Sequence, residues 1–175
     1  MEITPIAAQE AACLVPLLQD LHALHVDHLP ARYLADPAAE ALTDWLREWL
    51  ASDRTEALVA RSPKGVVMGY LIWEIEERAA LPVRAAERRA MVHHIAVDAP
   101  FRRIGVGKAL MSAMKARACA QGVDVIATTY ATFNAASAAL MQGMGLSPTL
   151  VYAEWRPPSQ AAQTIPAAAE EQPQA

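Results

Sequence analysis

The run Met91-Val-His-His-Ile-Ala-Val-Asp-Ala-Pro-Phe-Arg-Arg-Ile-Gly-Val-Gly-Lys-Ala-Leu110 constrains the fold of this chain most. It reads as a buried strand, a turn marked by Pro100, and a glycine-studded helix start that carries two arginines. A helix N-terminus leaves backbone N–H groups unpaired and bears partial positive charge, so an anionic ligand satisfies both at once. Gly105 and Gly107 put no side chain between the backbone and a pyrophosphate, while Arg102 and Arg103 add permanent charge at the mouth.

Three glycine-rich patterns compete for this segment. A Walker loop needs Gly-x-x-x-x-Gly-Lys-Ser/Thr, yet Arg102 stands five residues before Gly107 and Ala109 follows Lys108. A dinucleotide fingerprint needs Gly-x-Gly-x-x-Gly, but the place of its third glycine is held by Leu110. What remains is Arg102-Arg103-Ile104-Gly105-Val106-Gly107, an Arg-x-x-Gly-x-Gly run directly after Ile95-Ala96-Val97-Asp98. It resembles the acetyl-CoA pyrophosphate loop of the GNAT superfamily of N-acetyltransferases. Downstream, a helix to Ala120, Gly122, a β-branched run from Val123 to Thr129, Asn134 opening a last helix, and Gly145-Leu146 after it keep the order of that family, over roughly Met68 to Trp155.

The resemblance implies an α/β fold with a mixed, mostly antiparallel central sheet, flanked by helices and splayed between its fourth and fifth strands. It also implies acetyl-CoA as cosubstrate. Arg102, Arg103, Ile104, Gly105, Val106, Gly107 and Lys108 would hold the diphosphate, Ile95, Ala96 and Val97 would pair through their backbone with the amide-bearing arm, and Asn134 would contact that arm while capping its helix.

At 175 residues the chain is about one domain long and can bury a core without disulfides or metals. We expect one domain over residues 1–156 and a disordered Pro/Ala/Gln-rich tail over 157–175. Cys13 and Cys119 form no framework and no Cys-x-x-Cys pair, and both are expected in the core. The first residues lack a basic segment followed by an apolar one, and no apolar run approaches bilayer length, so a soluble cytoplasmic protein is expected. A net charge of −4 argues against DNA or RNA as partner. Dimers are common among members of the family, so a homodimer is compatible with the sequence.

Along the chain, Glu2 to Ile6 reads as an edge strand and Ala8 to Leu29 as a helical region that Pro16 kinks or restarts. Asp36-Pro37 is a cap-and-proline start for a helix to Ala51. Glu56 to Arg61 and Val66 to Ile75 form a hairpin around Ser62-Pro-Lys-Gly65. Glu76 to Arg89, rich in both charge signs, reads as an exposed connection, Arg89 to Val97 as the fourth strand, and Leu150 to Trp155 as the last one.

Acyl transfer from a thioester to an amine requires a neutral amine, donors for the oxyanion, and a proton for the departing sulfur. His93 and His94 are the candidates for the base, since a free imidazole changes charge near neutrality, but alternation lets only one of them look into the cleft. On regular alternation Met91, His93, Ile95 and Val97 share a face, and the resemblance places an acidic residue or a histidine at the His93 position, so His93 is the expected base. Many family members carry a tyrosine seven residues after the asparagine, where this chain has Met141 with no acidic proton. Tyr152, Tyr130 or water is left to protonate the sulfur, and Tyr152 joins His93 as a catalytic candidate.

His22, His25 and His28 recur every three residues, which on a helix spreads them over about 120°. That is poorly focused for a metal, and no metal is expected. His25, His28 and Tyr33 lie where the family's acceptor pocket is overhung. The reading is an acetyl-CoA-dependent N-acetyltransferase acting on a primary amine of a small molecule or peptide. Its rivals are an acyl-CoA-binding module without catalysis, which Met141 favours, and a nucleotide-dependent enzyme.

Overall fold

The computed structural model describes residues 1–155 and 157. The expectation of a disordered tail therefore lies, Pro157 aside, outside the described residues. Five strands run in the order β1 (Glu2–Pro5), β2 (Thr55–Arg61), β3 (Val67–Arg78), β4 (Glu87–Val97) and β5 (Val125–Thr128) across one sheet, antiparallel throughout except for the parallel β4·β5 pair. Among the described residues four α-helices accompany them: α1 (Val15–His28), α2 (Ala39–Leu50), α3 (Val106–Ala120) and α4 (Ala135–Gly143).

The middle of β3 explains the layering. Met68 to Trp73 is buried without interruption, the signature of a strand covered on both faces. Leu71 and Trp73 pack with Leu110, Met111, Met114 and Met141 on the α3/α4 side, whereas Tyr70 and Ile72 pack with Leu14, Leu18 and Leu46 on the α1/α2 side. Full burial of a side chain of this kind contributes about 1.5–3 kcal/mol, so β3 is the spine on which both helical layers rest.

Pro16 restarts the first helical region: a 3₁₀ turn over Ala8–Leu14 gives way to α1, with the proline in the first helical turn where no N–H is needed. The second helix begins later than expected, after Ala38, and Asp36 makes no cap but takes a left-handed φ of 46°. The charged run from Glu76 is not the connection the sequence suggested. β3 continues to Arg78 and β4 begins at Glu87, pairing Glu76 with Arg89, Glu77 with Arg88 and Arg78 with Glu87. Opposite charges facing each other across a ladder stabilise it, and the connection shrinks to residues 79–86.

Leu150 to Trp155 is not a strand. The segment has no regular secondary structure and pairs in no ladder among the described residues; Leu150, Val151, Tyr152 and Trp155 are exposed, and Arg32 meets it through the Glu154 ion pair at 2.7 Å and a guanidinium 5.8 Å from the Tyr152 ring centre. Cys13 is half-buried and Cys119 exposed, so the expected pair of core cysteines is corrected. Burial raises the Cys13 thiol pKa above its ordinary value, an effect the nearby Arg61 charge opposes.

Helix ends carry the glycines. Gly122 and Gly145 both have left-handed φ, and each closes a paired C-cap: Gly145 donates to Gln142 and Leu146 to Met141, as Gly122 does to Cys119 and Val123 to Ala118. The Gly145-Leu146 pair read from the sequence is thus the stop signal of α4, with Leu146 packing back on the core that holds Met141.

Candidate active site

β5 is shorter than β4, and this difference opens the site. The parallel ladder covers only Arg89 to Val92 against Val125 to Thr128, and the Thr128 hydroxyl donates to the Val92 carbonyl at 3.0 Å beside the last rung. From His93 to Val97 that side of β4 has no strand beside it among the described residues. The splay expected between the fourth and fifth strands is this gap. Asp98 N–H returns to the Met68 carbonyl on β3, so alternation turns Ala96 toward β3 and directs the N–H and C=O of Ile95 and Val97 into the gap. Of the three residues expected to offer backbone groups to a ligand, Ala96 is therefore corrected: its main chain is committed to Tyr70.

A β-bulge rearranges the two histidines. Ile72 faces His94 and Trp73 faces Val92, which leaves His93 without a partner on β3. Val92 before it, and Ile95 and Val97 after it, all pack on the α3/α4 side, while Ala96 packs on the α1/α2 side. The extra residue thus puts both imidazoles on the α1/α2 face, where Trp49 meets His93 at 5.5 Å and His94 at 5.2 Å between ring centres. The expectation that His93, Ile95 and Val97 share a face fails for this reason, as does the expectation that only one histidine faces the cleft.

The two rings differ in environment. His94 is wedged beside Trp45 and Trp49, and burial, with smaller contributions from His93 and His25, lowers its pKa to about 4. It is neutral at physiological pH. His93 is more open, and its Nε2 lies 3.4 Å from Glu74 Oε2. Glu74 was not singled out in the sequence; its other oxygen accepts the Trp49 indole N–H.

Both histidines line a cleft enclosing about 660 Å³, solvent-open space included. Its walls are Leu18, Leu21, His22, His25 and Tyr33 from α1 and the following loop, and Thr128 to Ala131 with Asn134 and Ser137 from the end of β5 and the start of α4. His22 contacts the Leu34 carbonyl at 2.6 Å and His25 the Leu21 carbonyl at 2.7 Å, so each ring is anchored through one nitrogen. His28 stacks on Phe133 at 4.0 Å and 11°, tying α1 to the β5–α4 loop. No group of three or more His, Cys, Asp or Glu side chains that could hold a metal occurs among the described residues.

At the other end of the gap lies the glycine loop. Gly105 caps α3 with φ 93°, Arg103 also has positive φ at 62°, and the first backbone bond of the helix runs from Ala109 to Gly105. The amides of Gly105, Val106, Gly107 and Lys108 consequently have no carbonyl partner among the described residues, and Ile104, Arg103 and Lys108 are exposed around them. Nothing lies within 4 Å of where a Gly105 Cβ would stand, but one at Gly107 would meet Leu140 at 3.3 Å and Val97 at 3.6 Å. Gly107 therefore serves helix packing rather than an open approach to the backbone. Gly69, unnoticed in the sequence, does the same from β3: its Cβ would meet the Ala96 carbonyl at 2.7 Å and Val106 at 3.3 Å.

Asn134 caps α4, accepting the Ser137 amide at 3.0 Å, and lines the cleft. Met141 is 1% exposed in the core. Tyr152, expected at the chemistry, is 78% exposed and lies over Arg32, away from the cleft lining. Tyr130 is the tyrosine from that pair of candidates that lines it.

A model of the acetyltransferase (GNAT) family matches residues 18–146. No curated protein sequence matches the chain significantly. Among solved structures, a mutant of the BH1408 protein from Bacillus halodurans aligns with a TM-score of 0.81 at 17% identity, covering 89% of this chain and 99% of that one. The aminoglycoside N-acetyltransferase AAC(6')-Iy in complex with CoA aligns with a TM-score of 0.70 at 19% identity, over 90% of this chain and 94% of that one. The ribosomal-protein-alanine N-acetyltransferase from Brucella melitensis biovar Abortus 2308 aligns at 0.66 and 20% identity, over 89% and 99%. At such identities the likeness is one of fold.

Proposed function

The chain belongs to the GNAT acetyltransferase family, and we propose that it moves the acetyl group of acetyl-CoA directly to a primary amine of a small molecule or peptide. The observation that carries this reading is the alignment of one gap with two kinds of unsatisfied group: the free amides from Gly105 to Lys108 at one end, and the Ile95 N–H and C=O with the Val97 N–H along it, the Val97 carbonyl being held by Arg102. The first suit a diphosphate at a helix N-terminus, and the second suit an arm that carries amides. Exposed Arg103 and Lys108 supply charge without competing acidic partners among the described residues.

Acetyl-CoA supplies a thioester, whose carbonyl carbon is the electrophile. The Ile95 or Val97 N–H donates to the thioester oxygen as it gains charge, a type of contact worth about 10²–10³ in rate. His93 takes a proton from the attacking nitrogen as the C–N bond forms, and general-base help of this kind contributes about 10²–10⁴. The C–S bond breaks and the sulfur leaves as a thiolate, tolerable because its conjugate acid has a pKa of about 8.5. The proton held by His93 returns to that sulfur through water or the Tyr130 hydroxyl, so one amine proton ends on the thiol.

The test is release of free thiol from acetyl-CoA with a panel of small amines, an aminoglycoside and peptides bearing a free N-terminus. Amine-dependent release is expected. Binding of CoA with no turnover across the panel would favour the second reading, an acyl-CoA-binding module, which the methionine at position 141 supports by leaving that position of α4 without an acidic hydroxyl. Two unbridged cysteines fit a reducing compartment, in line with a cytoplasmic location, and no described helix is long and apolar enough to cross a membrane.

A further inference from the structure

We infer that Glu74, fixed by the Trp49 indole, is the positioning residue of His93, holding its imidazole with Nε2 protonated so that Nδ1 is the nitrogen left to accept the amine proton. This rests on the reading of His93 as the base. Glu74 and His93 are diagonal neighbours across β3 and β4, Glu74 facing Met91 in the ladder, and both lie on the α1/α2 face.

The carboxylate is used at both oxygens. Oε1 accepts the Trp49 Nε1 hydrogen and lies 3.4 Å from the Thr55 hydroxyl, while Oε2 lies 3.4 Å from His93 Nε2. No lysine or arginine pairs with it among the described residues. The other carboxylates on these two strands, Glu76, Glu77 and Glu87, instead hold arginines. A half-buried carboxylate without a cation, held by an indole and aimed at an imidazole in the cleft wall, has the arrangement that sets a histidine tautomer. The bulge adds to this, because His93 has no residue opposite it and its ring orientation is left to its side-chain neighbours. Neutral His94 beside it brings no second charge to compete for Glu74.

The closing experiment compares His93→Ala, Glu74→Gln and the double variant in the full chain, with ¹⁵N NMR of the imidazoles. In Glu74→Gln the amide oxygen stays with Trp49 and the NH₂ faces His93 Nε2, so the ring should switch to the Nδ1–H tautomer. The expected result is that switch, together with a fall in kcat of about ten- to a hundredfold, an unchanged KM for acetyl-CoA, and no further loss in the double variant beyond His93→Ala. Trp49→Phe, which keeps the carboxylate but frees it, should lower kcat in the same direction by less, and carries the test if Glu74→Gln does not fold. An unchanged tautomer, a raised amine KM with kcat intact, or a lower Tm alone would overturn the inference. Full turnover by His93→Ala would instead remove the reading of His93 itself.

Discussion

Arg102 Nε stands 2.9 Å from the Val97 carbonyl, so the first arginine of the glycine loop turns back onto the strand and closes one of the acceptors at the end of the gap. Arg103 and Lys108 are the cations left facing outward. A ligand arm that donates to the Val97 carbonyl shares it with Arg102 or displaces it, so loss of that side chain removes a competitor along with a charge. Charge-assisted contacts to phosphate contribute about 1.5–3 kcal/mol each, so Arg103→Ala should weaken CoA binding by about tenfold or more, with a smaller salt dependence. Arg102→Ala should cost less than Arg103→Ala. Calorimetric titration with CoA at two salt concentrations decides it, and equal losses would contradict the division of labour.

Gly69 and Gly105 should fail differently when replaced by alanine. A Cβ at Gly69 would stand 2.7 Å from a backbone oxygen of β4, which cannot move without disturbing the ladder beside the gap. At Gly105 there is open space, and the penalty is the left-handed φ of 93°, about 1–2 kcal/mol for a residue with a side chain. Gly69→Ala should therefore be the more destabilising, by more than about 2 kcal/mol, and should also reduce CoA affinity. Denaturant melts of both variants test the order.

His94 should make stability depend on pH. Its pKa falls from an unfolded value of 6.5 to about 4 in the folded chain, so the unfolded state binds the proton first. The contribution is fully present above 6.5 and is lost as pH falls through the window down to about 4. Between about pH 7 and pH 5 the loss is on the order of 2 kcal/mol. His94→Phe, which keeps a ring beside Trp45 and Trp49, should flatten that part of a stability–pH curve. An unchanged slope would show that other groups govern it.

The proton donor can be probed by restoring what α4 lacks. Met141 is fully enclosed by the core, so Met141→Tyr brings extra volume and a hydroxyl into a site packed for a thioether. Overpacking of this kind costs about 1–3 kcal/mol, and kcat should not rise. Tyr152→Phe should leave kcat within about twofold, because that ring lies over Arg32 at the surface, whereas Tyr130→Phe should lower it if the cleft tyrosine relays the proton. Steady-state kinetics of the three variants separate these outcomes.

What could be read in the sequence was local. The Arg-x-x-Gly-x-Gly loop, the Asn134 cap and the glycines that stop α3 and α4 all act through main-chain geometry within a few residues, and all stand where expected. What escaped depends on a neighbour elsewhere in the chain. The bulge at His93 is defined only by how β4 sits against Ile72 and Trp73, so alternation along β4 alone placed Ile95 and Val97 on the wrong face. Glu74 looked like one charge at the end of an apolar strand until Trp49 and His93 came to it from α2 and β4. The charged stretch after Ile75 looked like a loop because its stabilising partners, Arg88 and Arg89 among them, arrive on the returning strand. Leu150 to Trp155 had strand composition but found no ladder, a reminder that β-propensity describes a fit to neighbours.

The odd residue in β4 gives the strand a counting rule. Carbonyls of Arg88 and Val92 face the β5 side, and an uninterrupted strand would have carried that even-numbered set onward to His94 and Ala96. One surplus position hands the gap to Ile95 and Val97 instead, and at the same stroke keeps the paired imidazoles together. Excising any single residue between Val92 and Ile95 would exchange both sets at once, so the length of this short stretch is as much a part of the site as the identity of its side chains.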